Sequence, residues 1–93
     1  MGRSQRLRPK KLAYKLRCIR ENFRLTQQEM VKELKSYGLR RERLYAATIS
    51  QFEADKREPS LLVLLAYSKY SGIPVNSLID DEIDPFTKPK ASN

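Results

Sequence analysis

Residues 48–60 read TISQFEADKREPS and place Ile49 and Phe52 three apart among side chains that are otherwise small, polar or charged. As a helix this segment turns Ile49 and Phe52 inward and leaves Ala47, Ser50, Gln51 and Ala54 on the other side. Those side chains are short, donate and accept hydrogen bonds or offer a methyl, and let a backbone approach closely whatever they meet. A helix that only covers a core usually carries long charged residues there. The chemistry open to the segment is close-range, hydrogen-bonded recognition of a surface.

Covalent chemistry has little to work with. The 93-residue chain has no histidine, so its single cysteine, Cys18, lacks the usual base and no histidine-containing metal site exists. Three glycines, at 2, 38 and 72, are too scattered for a phosphate-cradling loop. The carboxylates of Asp80, Asp81, Glu82 and Asp84 fall on an expected tail, a poor metal site without further ligands. No enzyme, cofactor, metal or small-molecule substrate is expected.

Charge says more. Residues 1–24 hold nine basic side chains against one acid, Glu21, which accounts for the whole net charge of +8. A basic front on a neutral body favours a polyanion, either nucleic acid or an anionic membrane surface, over the plainer role of a solubilising tail. The first residues lack the apolar stretch of a signal peptide, and the longest apolar run, LLVLLAY at 61–67, is far below the ~20 residues that cross a bilayer. A lone cysteine suits a reducing compartment, so a soluble cytoplasmic protein is expected.

The elements that must position the recognition segment can be read from periodicity and caps. Residues 1–9 form a flexible basic arm. From Lys10, Leu12, Leu16, Ile19 and Phe23 recur at helical spacing, with a turn at 22–25. Thr26 and Glu29 make a capping box for a second helix whose inward face is Met30, Val31 and Leu34, with Gly38 as its C′ residue. The segment LRRERLYAA (39–47) reads equally as an extra helical turn or a charged loop. A third helix begins near Tyr45 and runs to Ala54. Ser60 caps a fourth, buried by Leu61, Leu62, Leu64, Leu65 and Ala66 and closed by Gly72; a short fifth follows Pro74, with Val75, Leu78 and Ile79 inward. Nothing alternates with period two, so the fold is all-α, with a domain over 10–83 and a disordered tail over 84–93.

Four motifs in this order, LRCIREN (16–22), LTQQEM (25–30), TISQFEADKREPS (48–60) and LLAYSKYSGIPVNSLI (64–79), resemble the Cro/cI-type, lambda-repressor-like or XRE helix-turn-helix domain of bacterial and phage regulators. The resemblance covers 12–79, about three-quarters of the chain. It implies a compact five-helix domain whose helix over 45–54 enters the major groove of double-stranded DNA, in a cytoplasmic protein of bacterial or phage origin. Two features depart from the pattern. The connection before the recognition helix is longer than the usual ~3–4 residues, and Ala54-Asp55 replaces the glycine that normally follows that helix.

On this reading Gln51 can donate and accept toward adenine N6 and N7, and the methyls of Ala46, Ala47 and Thr48 can pack on thymine methyls, with Ser50 beside them. The alanines read equally as neutral helix surface, and Tyr45 equally as a phosphate contact or core. Gln27 and Gln28 sit where a helix N-terminus attracts phosphate. The resemblance gives Gln27 a backbone contact and a bracing role, and makes Arg20 and Glu53 a buried structural ion pair. Lys56 and Arg57 are placed for phosphates, while Arg3, Arg6 and Arg8 resemble an arm that follows the backbone or enters a minor groove.

The favoured function is a sequence-specific transcriptional regulator, a repressor being the favoured form, acting as a homodimer through residues 73–83. With no effector domain expected, control falls to concentration, a partner or competition. An antitoxin-like protein-interaction module on the same fold is the alternative.

Overall fold

The computed structural model describes residues 9–40 and 42–86. The arm residues Arg3, Arg6 and Arg8 lie outside them, as do 87–93. Five α-helices follow in chain order: α1 (Leu12–Asn22), α2 (Gln27–Lys35), α3 (Ala46–Glu53), α4 (Leu61–Ser71) and α5 (Val75–Ile79), with no strand among the described residues.

Helix boundaries have identifiable local causes. The Thr26 hydroxyl accepts the Glu29 N–H at 3.1 Å, and the Glu29 carboxylate accepts the Thr26 N–H at 2.8 Å, closing the box that starts α2. The Ser60 hydroxyl accepts the Val63 N–H at 3.2 Å and starts α4. Both α1 and α3 stop in Schellman turns whose left-handed residue is not glycine: Arg24 at φ 57° and Asp55 at φ 59°. Around Asp55 the Lys56 N–H reaches the Gln51 carbonyl at 2.9 Å and the Asp55 N–H that of Phe52 at 3.2 Å. Aspartate is among the residues that tolerate this conformation, so the missing glycine does not open the turn. Gly72, at φ 80°, closes α4. Gly38 also has positive φ, 106°, but α2 ends earlier, at a Ser36 cap, so the glycine stands in the turn beyond it.

The core joins one face of every helix. Leu12, Leu16 and Ile19 of α1, Met30, Val31 and Leu34 of α2, Ile49 and Phe52 of α3, Val63, Leu64, Ala66 and Tyr67 of α4, and Leu78 of α5 are all buried. α3 packs on α2 and α1, α2 also on α4, and α5 bridges α4 and α1. The segment between α2 and α3 is an irregular loop pinned by two further buried leucines, Leu39 and Leu44. Ten residues, 36–45, separate the two helices.

Several expectations change, among them that for Ile79, which periodicity turns inward on α5 but which stands exposed. Leu61, Leu62 and Leu65, core positions on the sequence pattern, stand exposed at 80%, 58% and 40%. α4 is apolar around most of its circumference, and a helix packed on one side buries only the face that Val63, Leu64 and Tyr67 occupy. Phe23 is half-exposed and stacks at 4.7 Å on Tyr70 rather than entering the core. The segment after α5 also differs: Phe86 packs against the core, although 84–93 was read as a tail.

Two interlocked contacts fix that C-terminal segment. The Asp81 carboxylate accepts the backbone N–H groups of Lys10 and Lys11 at 2.9 and 3.0 Å, just before α1. These N–H groups hold its pKa below the ordinary aspartate value. In the other direction, Lys15 of α1, only 2% exposed, donates its ammonium to the carbonyls of Ser77 and Asp80 at 2.8 Å each, at the end of α5. Each helix terminus receives the charge its dipole favours.

Candidate nucleic-acid interface

α3 divides into two faces. Thr48, Ile49 and Phe52 are buried, while Ala47, Ser50, Gln51 and, at the cap, Ala54 are exposed. Ala46 lies between, half-buried. Thr48 is removed from the outer surface for a local reason: its hydroxyl accepts the Tyr45 N–H at 3.2 Å, holding the first turn of the helix. Its methyl is therefore not among the groups presented outward. Tyr45 is 61% exposed and stands at the front of α3 as a surface residue.

The outer face is braced from behind at its C-terminal end. The Glu53 carboxylate accepts Nε of Arg20 at 2.7 Å and Nη2 at 3.0 Å, a two-pronged pair, while Nη1 of Arg20 donates to the Leu25 carbonyl at 2.8 Å. Both side chains are largely withdrawn from solvent, at 16% and 6% exposed. The carboxylate raises the pKa of the Arg20 guanidinium. Tyr67 lies nearby: burial raises the pKa of its hydroxyl, which has no hydrogen-bond partner among the described residues and feels the charges of Glu53 and Arg20. The half-buried Gln27 reaches the same carboxylate with Nε2 at 3.4 Å. One acidic side chain of α3 is thus tied to α1 and to the start of α2, and through Arg20 to the turn between them.

Two open grooves flank the exposed face. Along one side lie Arg17, Gln27 and Ser50, with Arg20 and Glu53 at the bottom. Along the other lie Arg43, Thr48, Phe52, Arg57 and Ser60, together with the carboxylates of Glu42 and Glu58. Each groove therefore carries arginine at its rim. Arg17 is exposed and bonded to Glu21 at 2.9 Å, a pair that competes weakly with solvent and salt. Arg57 makes a long 3.5 Å contact from Nη1 to the Gln51 carboxamide oxygen, beside the exposed Lys56. Gln28 is exposed at the start of α2.

The structure thus gathers Gln27, Ser50, Gln51, Ala47 and Arg57 around one surface and withdraws Thr48 from it. Arg17 and Arg43 join them without having been singled out from the sequence. Arg17 hid in the basic front of the chain. Arg43 lies in a stretch without a periodic signal, since leucines five apart, Leu39 and Leu44, match neither a helical nor a strand period.

Among the described residues no group of three or more histidine, cysteine or acidic side chains could hold a metal ion, and no helix is long and apolar enough to cross a membrane. Comparison of the chain with protein-family models, with curated proteins and with solved structures finds no match.

Proposed function

We propose that this protein is a sequence-specific DNA-binding regulator of the lambda-repressor-like helix-turn-helix kind, reading the major groove with α3. The observation that carries the reading is the outer face of α3. Its short side chains, Ala47, Ser50 and Gln51, stand out from a helix locked through Glu53, between two grooves rimmed by Arg17 on one side and Arg43 and Arg57 on the other. A major groove about 12 Å wide accepts one helix and sets a phosphate backbone along each side of it. Short side chains let that helix sit deep enough to reach base edges. The arginines fall where the phosphates run, giving position without sequence preference.

In this role Gln51 is the principal base reader, with the Ala47 methyl and the Ser50 hydroxyl beside it. Gln27 braces α3 from the start of α2 and keeps its carboxamide near the surface for a phosphate. One such helix reads only a few base pairs, so selectivity calls for two copies on two half-sites about 34 Å apart. Repression by occupying a site needs no further machinery in the chain.

Selection of preferred duplexes from a random pool, followed by titration across salt concentrations, tests the reading. The expected result is a palindromic or pseudopalindromic preference, with log K falling by ~0.9 per phosphate contact for each decade of salt. Enrichment of no sequence over the pool would overturn it, and the antitoxin-like protein module would then be the reading to pursue.

A further inference from the structure

α4 carries more apolar surface than the core covers. Leu61 and Leu65 lie one turn apart with Leu62 beside them, all three exposed, and the exposed Lys69 bounds the patch one turn further on. Isolated apolar residues on a surface call for no explanation, whereas three leucines in one contiguous stripe form a patch of the size that on small proteins is often functional. We propose that this stripe is the surface through which a second copy of the chain docks, with its setting on adjacent half-sites resting on the DNA-binding reading above.

Symmetry and position fit a second copy as the occupant, and area and charge confine the contact to copies brought close together. Three partly exposed leucines offer on the order of a few hundred Å², against the ~800 Å² per partner of a stable interface. A contact that small associates only weakly in free solution and holds firmly between copies already kept close. Charge acts in the same direction: two bodies of net charge +8 repel one another in free solution, and DNA phosphates remove that repulsion. A stripe on one helix is also self-complementary about a two-fold axis, Leu61 of one copy lying against Leu65 of the other. Position agrees, because Ser60, one residue before the patch, lines the groove that holds Arg43 and Arg57 beside α3. The edge of one DNA-reading surface therefore faces a neighbour bound next to it. The segment 73–83 offers less, because Leu78 is fully buried and Ile73 and Val75 pack against the core, leaving Ile79 as its one large exposed apolar residue.

Sedimentation equilibrium of the full chain, at low and high salt, measures the contact without DNA. Apolar association between like-charged bodies strengthens as salt screens them, whereas DNA binding weakens. The wild-type chain should associate weakly, at the top of the concentration range, and more so at high salt. The double variant Leu61→Gln, Leu65→Gln should remain monomeric with its helical circular dichroism unchanged, since both positions are exposed. On a duplex with two selected half-sites the wild type should fill them cooperatively, by about a hundredfold. The variant should fill them independently while keeping the wild-type affinity for a single half-site. A wild type monomeric at both salts, independent filling by the wild type, or undiminished association in the variant overturns the α4 contact and leaves DNA binding standing. If neither protein prefers any duplex, yet the salt-strengthened association is present in the wild type and lost in the variant, the DNA reading falls and the contact stands.

Discussion

Two side chains of α3, two residues apart, have opposite work. Gln51 is exposed and, among the described residues, its carboxamide is held by one long contact from Arg57, so it can turn toward a base. Gln51→Ala should therefore relax preference at one position of each half-site by ~1–3 kcal/mol while leaving the other positions unchanged. Competition between duplexes that differ at single positions measures this, and an equal loss for every sequence would remove Gln51 from the readers. Glu53 is the reverse case. It faces inward, and its loss leaves the largely withdrawn Arg20 guanidinium with the Leu25 carbonyl but without its carboxylate partner. Glu53→Ala should cost ~3–5 kcal/mol in urea unfolding. A loss below ~1 kcal/mol would put the pair in the class of solvated surface bridges.

Among the elements, α1 and α5 with its following turn form a reciprocal clamp. The Lys15 ammonium serves the C-terminal carbonyls of α5, and the Asp81 carboxylate serves the backbone just before α1. Lys15→Met keeps the packing of the stem but leaves the Ser77 and Asp80 carbonyls without their donor, so a loss of ~1–3 kcal/mol is expected in urea unfolding. Asp81 makes the clamp pH-dependent. Its pKa is lowered in the folded chain, so its contribution is complete above the ordinary aspartate value of about 4 and fades as the pH falls below it. Asp81→Asn should be less stable than the wild type at neutral pH, with the difference shrinking through that acid range. Parallel stability–pH curves for the two proteins would exclude Asp81 as the titrating group.

For the molecule as a whole, charge is the governing quantity. All of the net charge resides in residues 1–24, three of whose nine basic side chains, Arg3, Arg6 and Arg8, fall in residues 1–8. Deleting residues 1–8 removes Arg3, Arg6 and Arg8 without touching any of the five helices. The shortened protein should keep its circular dichroism and urea midpoint, bind duplex DNA less tightly and lose affinity less steeply as salt rises. Equal affinity at low salt would reduce the arm to a solubilising tail. This test is independent of the α4 stripe, since the two features act through phosphate and apolar contact respectively.

The sequence by itself determined the elements whose causes are local. Five helices were legible because the stripe of Leu12, Leu16 and Ile19, the capping box of Thr26 and Glu29, the cap at Ser60 and the stop at Gly72 each act within a turn or two of chain. The split of α3 into buried Ile49 and Phe52 and exposed Ser50 and Gln51 was legible for the same reason. The tertiary structure decided what depends on which side of an apolar helix finds a partner. Leu61, Leu62 and Leu65 resemble Leu64 in every property the sequence records, and only the placement of α4 against α2 and α5 leaves those three outside. It likewise seated Lys15 on α5 and drew Asp81 to the start of α1, the latter across 70 and 71 residues of chain. Pairings of that length obey no period, because what joins them is the path of the folded backbone.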